Sequence, residues 1–324
     1  MRILVAGGAG YIGAHMCKCL HEAGHTVVVL DNLATGHRAA VKWGTLVEAS
    51  VADTAVVLET LRSHRIDTVM HFAASSLVGE SMAAPYAYYE NNVSATLRLL
   101  QAMRASGVQR FVFSSTAAVY GQPRSDVIDE NHPRDPINPY GRSKLAVELM
   151  LEDAARAYGL CVAALRYFNA AGAEPAAGIG ESHQPETHLI PRLLRRAAGE
   201  ALEVQIFGTD YPTPDGTCIR DYIHVTDLVN AHLRALEYIT RQGGFHAFNL
   251  GNGEGYSVRQ VVKAVEDVIG HTLDIPVGPR RAGDPAILVA SSRKAREVLG
   301  WMPQYPDIRR IVADAWAWHR APAY

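Results

Sequence analysis

Short apolar runs alternate with longer amphipathic segments through the first half of this chain. The apolar runs predict strands at residues 2–6, 26–30, 45–48, 66–72, 110–114 and 161–167. The segments between them predict helices at residues 55–63, with Thr54 as the expected N-cap, and at residues 86–106 and 141–158. Strands and helices that alternate at this spacing predict an α/β fold, in which helices cover both faces of a doubly wound parallel sheet.

The composition changes near residue 170, because residues 171–180 are rich in glycine, alanine and proline. Such a stretch is typical of the exit from a domain. We therefore expect one domain over residues 1–174 and a smaller C-terminal α/β substrate domain over residues 175–324, with residues 220–250 packing back against the first. In this second half the pattern predicts helices at residues 189–199, 225–240 and 258–269 and strands at residues 203–207 and 245–250.

A glycine-rich turn, Gly-Gly-Ala-Gly-Tyr-Ile-Gly at residues 7–13, follows the first predicted strand. Gly7, Gly10 and Gly13 allow a tight turn and a close approach to a pyrophosphate, which the N-terminus of the next helix attracts. Asp31 follows the second strand, 18 residues after Gly13, where an acidic side chain hydrogen-bonds the adenosine ribose. An acid there also repels a 2′-phosphate. The pattern therefore predicts a Rossmann domain that binds NAD rather than NADP.

Tyr140 and Lys144 lie four residues apart in a predicted helix and so share one face. A nearby ammonium favours the phenolate, so we expect it to lower the pKa of Tyr140 and make this residue a base near neutral pH. Thr116, which follows the strand at residues 110–114, can hydrogen-bond the same substrate oxygen. With bound NAD, the three residues suit removal of a proton from an alcohol whose carbon gives up a hydride. A solvated surface pair is the alternative interpretation of the tyrosine and the lysine.

Charge and composition narrow the classes of partner. Lysines and arginines number 31 against 33 aspartates and glutamates, the net charge is −2 and no long basic run is present, so neither nucleic acid nor an anionic membrane is expected. No apolar run approaches the length of a spanning helix, and a strand that begins at Arg2 leaves no room for a signal peptide. The four cysteines form no disulfide framework, which favours a reducing compartment and a cytoplasmic protein. The 14 histidines show no metal-ligand spacing, so no metal is expected.

The chain resembles the extended short-chain dehydrogenase/reductase superfamily and, within it, the UDP-glucose 4-epimerase family. The resemblance runs through nearly the whole sequence, at residues 7–13, 31–33, 71–74, 90–92, 114–121, 140–144, 165–169, 206–208, 215–217, 220–225, 249–251 and 280–284. The motifs of the first half specify only the superfamily. The block at residues 220–225 and the arginine loop at residues 280–284 make the resemblance specific to the epimerases.

The resemblance implies reversible inversion at C4 of a UDP-hexose, which interconverts UDP-galactose and UDP-glucose in galactose metabolism through a transient 4-keto sugar and enzyme-bound NAD. It implies Tyr140, Lys144 and Thr116 as catalytic residues. The residues that it implies for NAD are Gly7, Gly10, Tyr11, Ile12, Gly13, Asp31, Asn32, Leu33, Ser50, Val51, Phe72, Ala73, Ala74, Ser76, Asn91, Thr116, Tyr140, Lys144 and Phe168. Those that it implies for the nucleotide sugar are Thr116, Tyr140, Asn169, His188, Leu189, Gln205, Ile206, Phe207, Arg220, Arg281, Asp284 and Leu288. Family members usually form homodimers, here expected through the helices at residues 86–106 and 143–158.

Some of these residues also have simpler interpretations. Arg220 and Arg281 suit bidentate contacts to a diphosphate, but each could equally be an ordinary surface ion-pair partner. Phe207 suits a contact with the uracil, but aromatic residues are also common in cores. A lone histidine such as His188 is often only a hydrogen-bonded loop residue.

Four positions depart from the pattern of the family. Ser50 stands where many relatives carry an acid for the adenine, and Ser76 stands where some carry a lysine for the cofactor phosphates. His188 replaces an asparagine found in some. Leu288 stands where selective members place a tyrosine beside the sugar. A smaller side chain there leaves room, which suggests an additional activity on UDP-N-acetylhexosamines.

Three alternative functions fit parts of the same pattern. A nucleotide-sugar 4,6-dehydratase needs an acid to expel water from C6, and such enzymes carry Asp-Glu after the threonine, whereas Ala117 and Ala118 follow Thr116 here. A decarboxylase acting on UDP-glucuronate is a more distant alternative. A non-catalytic NAD-binding protein has no use for a tuned phenol, so the tyrosine and lysine favour an enzyme.

Overall fold

A computed structural model gives the structure of the protein and describes residues 1–125, 127–281 and 284–324. Ala282 and Gly283 of the arginine loop lie outside the described residues. The strands are β1 (Arg2–Ala6), β2 (Thr26–Asp31), β3 (Thr45–Glu48), β4 (Thr68–His71), β5 (Arg110–Ser114), β6 (Val127–Ile128), β7 (Cys161–Tyr167), β8 (Asn169–Ala171), β9 (Ile206–Phe207), β10 (Ile219–Arg220), β11 (Tyr222–His224), β12 (Phe245–Leu250), β13 (Tyr256–Ser257), β14 (Val277–Gly278) and β15 (Ile287–Ala290). The helices are α1 (Tyr11–Glu22), α2 (Thr54–Ser63), α3 (Val78–Ala83), α4 (Pro85–Tyr88), α5 (Ala95–Ser106), α6 (Pro139–Tyr158), α7 (Leu189–Ala197), α8 (Val225–Arg241), α9 (Val258–Ile269), α10 (Arg293–Leu299) and α11 (Ile308–Arg320). A π-helix covers Tyr89–Ser94, and 3₁₀ turns cover Arg38–Ala40, Ala117–Tyr120 and Pro175–Ala177.

Seven strands form one sheet in the order β12-β7-β5-β4-β1-β2-β3, and every neighbouring pair is parallel. The chain places β2 and β3 on one side of β1 and then returns to place β4 on the other side. Ligands of such sheets bind where this change of direction separates the carboxyl ends of two strands, here β1 and β4. The predicted doubly wound parallel fold is confirmed. Its edge strand β12 comes from the second half of the chain.

Helices cover both faces of this sheet. On one face α2, α5 and α6 bury Leu61, Leu99 and Val147, and on the other α1 and α8 bury Leu20 and Leu236. Every residue of β1 and β2 except the first is buried. A parallel strand covered on both faces needs apolar residues on both, so it appears in the sequence as a continuous apolar run rather than as an alternating one.

Most of the remaining elements build a second, smaller assembly. It contains a four-stranded sheet in the order β13-β10-β15-β6 and the parallel pairs β11-β8 and β14-β9. Ile190 of α7, Val261 of α9 and Ile311 of α11 share one buried core. The pairing of β10 with β15 sets Arg220 opposite Leu288, so residues far apart in sequence lie side by side. No helix of the described ranges is long and apolar enough to cross a membrane.

The helix predicted at residues 86–106 is confirmed, but it is not α-helical throughout. The segment consists of α4, the π-helix and α5, which begins at Ala95. Within the π-helix, the buried Asn92 amide accepts a hydrogen bond from the Ser75 N–H at 2.9 Å and donates one to the Ser143 hydroxyl at 3.0 Å. The π-helix covers only six residues, fewer than the window over which periodicity is judged, so the pattern did not separate it from a regular helix.

Several predicted element ends also differ from the structure. The N-cap of α2 is Asp53 and not Thr54, because the Asp53 carboxylate accepts the Val56 N–H at 3.2 Å. Aspartate caps a helix at least as well as threonine. Two strands are shorter than predicted. Within residues 66–72 only β4 (Thr68–His71) is a strand, and within residues 203–207 only β9 (Ile206–Phe207) is.

Candidate active site

The glycine turn joins β1 to α1 at the carboxyl end of the large sheet. Gly7 has a φ of +81°, and a Cβ on it would lie 2.6 Å from the Ala73 nitrogen, so only glycine fits where this turn touches the turn after β4. A Cβ on Gly13 would overlap the Gly7 carbonyl oxygen. Gly10 is the N-cap of α1, and no side chain caps this end of the helix. The N–H groups of its first turn can therefore bind an anion such as a pyrophosphate.

Asp31, the last residue of β2, lies beside the glycine turn. One of its carboxylate oxygens accepts the Ala9 N–H and the other accepts the Leu33 N–H, both at 2.9 Å. These two bonds fix the carboxylate, while each oxygen keeps a lone pair for a further donor such as a ribose hydroxyl. The glycine cradle and this oriented acid fit the pyrophosphate and adenosine of a dinucleotide.

The other residues predicted for NAD lie along the same edge of the sheet. Ser50 and Val51 follow β3, Phe72 to Ser76 follow β4, and Phe168 follows β7. The Ser50 hydroxyl accepts the Ala52 N–H at 3.1 Å and so stabilises its own turn. Ser76 is exposed, and Asn91 of the π-helix donates to the hydroxyl of the neighbouring Ser75 at 3.2 Å.

Lys144 lies in the second turn of α6, whose N-cap Asn138 accepts the Gly141 N–H at 2.8 Å. Only 3% of Lys144 is exposed, and its Nζ donates to the Ser114 carbonyl oxygen at 2.8 Å. Burial lowers the pKa of Lys144 to about 7, against an opposing effect of Glu148. A buried, hydrogen-bonded lysine is not a solvated surface residue, so the alternative interpretation of the pair is wrong for Lys144.

Tyr140 lies one turn before Lys144 and packs edge-to-face on Tyr88, with ring centroids 6.4 Å apart. Burial of the phenol raises the pKa of Tyr140, and an interaction with the Thr116 side chain partly lowers it. The predicted lowering of this pKa by Lys144 is therefore wrong for the protein alone. The reason is burial of the phenol, which disfavours the phenolate more than the interaction with Thr116 favours it.

The two residues after Ser114 also contact α6. The Ser115 hydroxyl donates to Oε1 of Glu148 at 2.6 Å, and Thr116 contacts the Tyr140 phenol. Three consecutive residues at the end of β5 thus each hold one side chain of the same helix. This arrangement places the predicted Thr-Tyr-Lys set beside the turns that follow β1 and β4.

Glu148 is a site residue that the sequence analysis missed. It is fully buried and receives two hydrogen bonds from Arg166 of β7, at 2.9 and 2.6 Å. Arg166 also donates to the Tyr120 hydroxyl at 2.8 Å, which in turn donates to Oδ1 of Asn249 at 2.6 Å. The signal in the sequence was a glutamate four residues after Lys144, on the same helix face. The network positions β5, β7 and α6 relative to one another.

Three charged residues predicted for the nucleotide sugar lie on β10 and in the arginine loop, and the aromatic Phe207 lies on β9. The Arg281 guanidinium lies 4.0 Å from the centroid of the Phe207 ring. Arg220 donates to two main-chain carbonyl oxygens, at 2.8 and 2.9 Å, and lies 3.5 Å from Asp284. The ion-pair interpretation therefore holds for Arg220 in part, although a guanidinium with five N–H donors can bind further oxygens.

The uncharged members of the predicted set surround these groups. Asn169 on β8 donates to a main-chain carbonyl oxygen at 2.8 Å. Gln205 is exposed, and the next residue, Ile206, is buried. Leu288 packs in a small apolar cluster with Phe168, one of the residues predicted for NAD. The cluster therefore joins the two predicted sets.

His188 is the N-cap of α7, directly before Leu189. Its Nδ1 lies 2.5 Å from Oε1 of Glu181, and its main-chain N–H donates to Oε1 of Glu186 at 2.8 Å. Burial opposes a charge on the imidazole, but Glu181 outweighs burial and raises the pKa of His188. Nδ1 of His183 lies 3.1 Å from the same Glu181 oxygen.

The sequence analysis missed this group of histidines and glutamates and found no metal-ligand spacing. The four residues form the pattern Glu-x-His-x-x-Glu-x-His at residues 181–188, which was visible in the sequence.

The parallel sheet, the glycine cradle and the Tyr-Lys pair of α6 are the features of a dinucleotide-dependent enzyme that acts on an alcohol or its ketone. The chain belongs to the NAD dependent epimerase/dehydratase family, whose model matches residues 3–251. It is 52% identical over 320 residues to a protein named UDP-glucose 4-epimerase from Halalkalibacterium halodurans, and the match covers 99% of this chain and 96% of that one.

Three solved structures are similar along their whole length. UDP-glucose 4-epimerase from Brucella ovis in complex with NAD is 49% identical, with a TM-score of 0.94 and 97% of each chain covered. The enzyme of that name from Bifidobacterium longum, in complex with NAD+ and UDP, is 38% identical, with a TM-score of 0.93 and coverage of 99% of this chain and 98% of that one. The UDP-Glc/GlcNAc 4-epimerase from Campylobacter jejuni is 41% identical, with a TM-score of 0.88 and coverage of 98% and 99%.

Proposed function

We propose that the protein inverts C4 of UDP-hexoses reversibly and so interconverts UDP-galactose and UDP-glucose through a transient 4-keto sugar. The observation that carries this proposal is the convergence of Thr116, Tyr140 and Lys144 at the end of β5, on the same sheet edge as the glycine cradle. The similarity to UDP-glucose 4-epimerases over nearly the whole chain supports it.

The cofactor in this proposal is NAD. When bound, it would accept a hydride from C4 and return it to the opposite face, a redox role that no side chain can supply. The first turn of α1 would hold its pyrophosphate, and Asp31 would accept hydrogen bonds from its adenosine ribose. Because the reaction has no net redox change, the cofactor need not leave between turnovers.

Tyr140 is the residue that we assign to accept the proton of the 4-hydroxyl group. Burial raises its pKa in the protein alone, so its action as a base requires positive charge nearby. Lys144 lies one turn from the phenol and can supply that charge in part, although burial lowers its pKa to about 7 and so reduces the fraction that is protonated. Thr116 contacts the phenol and can hydrogen-bond the same substrate oxygen.

The nucleotide would be held by residues 175–324. Arg220 and Arg281 offer planar guanidinium groups to the diphosphate, and Phe207 offers an aromatic ring to the uracil. The 4-keto sugar has to turn within the site to present its other face. We therefore expect most of the binding free energy to come from the uridine diphosphate and little from the hexose.

The proposal includes an additional activity on UDP-N-acetylhexosamines, which rests on Leu288. It stands opposite Arg220 and packs with Phe168, between the two predicted binding sets. Leucine leaves more room than the tyrosine of selective epimerases, which suits an N-acetyl group. The Campylobacter jejuni enzyme, a UDP-Glc/GlcNAc 4-epimerase, is a similar protein that acts on both kinds of sugar.

The dehydratase alternative is disfavoured by the residues after Thr116. Ala117 and Ala118 occupy the 3₁₀ turn at this point, and Ala117 is buried. Neither alanine can supply the acid that expulsion of water from C6 requires.

A homodimer formed through α5 and α6 is a further part of the proposal. Leu97 on α5 and Leu149 on α6 are 43% and 46% exposed, and Tyr158 at the end of α6 is 53% exposed. Exposed apolar side chains on helices of one face favour a contact with a second copy. Light scattering of the wild type and of Leu149→Glu tests this: a monomeric wild type contradicts it.

Because all four cysteines are free, we also expect a reducing, cytoplasmic location.

The decisive experiment is to incubate the purified protein with UDP-galactose, without added NAD, and to follow the products by NMR. UDP-glucose would establish both epimerisation and a retained cofactor. A 4-keto-6-deoxy sugar would favour the dehydratase instead. No reaction, even after NAD is supplied, would contradict the proposal.

A further inference from the structure

Four potential metal ligands converge in the segment before α7. Nδ1 of His188 lies 2.5 Å from Oε1 of Glu181 and 3.4 Å from Oε1 of Glu186. Nδ1 of His183 lies 3.1 Å from Oε1 of Glu181 and 3.8 Å from Oε2 of Glu186. One ligand atom from each of the four residues can be chosen so that all lie within 4.8 Å of one another. Around a tetrahedral zinc ion, ligand atoms at about 2.0–2.2 Å from the metal lie about 3.4 Å apart, a value inside the observed range.

The two buried carboxylates of this group need positive charge close to them. Glu181 and Glu186 are 4% and 8% exposed, and a pair of buried carboxylates is costly unless it is neutralised. Among the described residues, no lysine or arginine forms an ion pair with either carboxylate, and their charged contacts are with His183 and His188. A divalent cation bound by two carboxylates and two neutral imidazoles gives a site with no net charge.

Contacts outside the group hold its backbone in place. Nε1 of Trp318 donates to the Glu181 carbonyl oxygen at 2.9 Å, and Nε2 of His37 lies 2.9 Å from the Ser182 carbonyl oxygen. The His183 ring packs edge-to-face on Tyr11, with centroids 6.3 Å apart. Surrounding contacts of this kind orient metal ligands and raise the affinity of a site.

We propose that Glu181, His183, Glu186 and His188 bind a divalent transition-metal ion, with Zn²⁺ as the preferred occupant. Imidazole and carboxylate ligands together suit Zn²⁺. Four protein ligands complete a tetrahedron and leave no position for a reacting water, which is the arrangement of a structural zinc site. The ion would fix the segment that leads into α7 against Tyr11, the first residue of α1. Zn²⁺ binding by these residues does not depend on the epimerisation proposed above, but the two share His188, which also belongs to the set predicted for the nucleotide sugar.

Zn²⁺ binding to the full-length protein, measured by competition with a chromophoric chelator, tests the proposal. We expect one Zn²⁺ per chain, and binding weaker by at least about 10- to 100-fold in His183→Asn and in Glu186→Gln, since even disturbing a residue around a metal site has that effect. His271→Asn removes an exposed histidine elsewhere and should bind like the wild type. Failure of the wild type to bind Zn²⁺, or unchanged binding by both ligand variants, would overturn the proposal.

A second measurement does not depend on variants. Co²⁺ bound in a tetrahedral site absorbs strongly in the visible region, whereas six-coordinate Co²⁺ absorbs weakly. A strong band that Zn²⁺ displaces at one equivalent would support the four-ligand site. A weak band would indicate a loosely held surface ion and contradict it. Zn²⁺ should also raise the thermal midpoint of the wild type with its concentration, because the proposed site binds it more tightly in the folded than in the unfolded state.

Discussion

The Ser115 hydroxyl donates a hydrogen bond to Oε1 of Glu148 across 2.6 Å and so joins the end of β5 to the middle of α6. Ser115 is flanked by the two residues that contact Lys144 and Tyr140. Glu148 is in turn held by a pair of hydrogen bonds from the β7 arginine. The bond therefore helps to set the distance between the strand end and the helix that carries the Tyr-Lys pair.

Ser115→Ala removes this hydrogen bond while leaving the buried carboxylate in place. A hydrogen bond to a charged group contributes about 1.5–3 kcal/mol, so we expect the free energy of unfolding to fall by that amount in urea denaturation. Ser63→Ala is the matched control, because the Ser63 hydroxyl donates to the Glu59 carbonyl oxygen on an exposed helix face and its loss should cost about 0.5 kcal/mol or less. Equal losses in the two variants would mean that Ser115 has no special role.

Tyr140→Phe tests the assignment of the base. If Tyr140 accepts the proton of the 4-hydroxyl group, its loss should lower kcat by about 10²- to 10⁴-fold, the usual contribution of a positioned acid or base. The binding of NAD and of UDP should change little, since the ring remains. Tyr158→Phe at the exposed end of the same helix is the control and should keep full activity. Wild-type rates in Tyr140→Phe would move the proton transfer to another group.

The parts of the fold that were predicted from sequence are those in which local physics leaves a local pattern. The inner strands β1 and β2 of the large sheet are buried on both faces, so each is an apolar run. The glycine turn was identified for a similar reason: Gly7 and Gly13 each stand where a Cβ would meet backbone atoms, so the chain can carry only glycine at these positions. The spacing from this turn to Asp31 follows from the length of one helix and one strand.

The features that sequence analysis missed depend on contacts between distant segments. Glu148 is explained by its contacts with Arg166 of β7 and with Ser115, the residue after β5. Lys144 was expected to lower the pKa of Tyr140, but burial of the phenol in the folded protein raises it. The π-helix, likewise, is held by bonds from Asn92 to residues on other elements. No pattern along a single segment contains these partners.

Buried histidines predict that the protein loses stability in mild acid. His15, His71 and His232 are almost fully buried, and burial lowers their pKa values to about 4, 3 and 4. An unfolded histidine has a pKa of about 6.5, so between these values the unfolded state binds more protons than the folded state. The free energy of unfolding therefore rises with pH across this window and is lost as the pH falls from about 6.5 towards 4.

His232→Leu should remove one of these contributions. Nδ1 of His232 lies 2.9 Å from the Leu228 carbonyl oxygen, and its ring packs against Phe72. The slope of stability against pH should fall by about 1.4 kcal/mol per pH unit, or about 3 kcal/mol over the window. Urea denaturation at several pH values measures it, and the exposed His271→Asn corrects for loss of a histidine as such. A slope in His232→Leu equal to that of the wild type would show that His232 is not kept neutral by burial.

Leu288→Tyr tests whether this position sets the choice of sugar. Leu288 stands opposite Arg220 on the neighbouring strand and packs with Phe168, so a larger side chain there should narrow the space beside the hexose. We expect the ratio of UDP-GlcNAc to UDP-glucose turnover, each as kcat/KM, to fall by at least about 10-fold, since steric exclusion of a few atoms is worth that much. Leu288→Met keeps the volume nearly constant and should keep the wild-type ratio.

The two variants separate a steric effect from a general one. If Leu288→Tyr lowers turnover of both sugars equally, the tyrosine has disturbed the cluster around Phe168 rather than the sugar pocket, and Leu288→Met would then be unaffected. If the wild type turns over UDP-glucose but not UDP-GlcNAc, the room left by leucine is insufficient, and the additional activity is excluded while the main reaction stands. A fall confined to UDP-GlcNAc in Leu288→Tyr is the result that a pocket wall at this position requires.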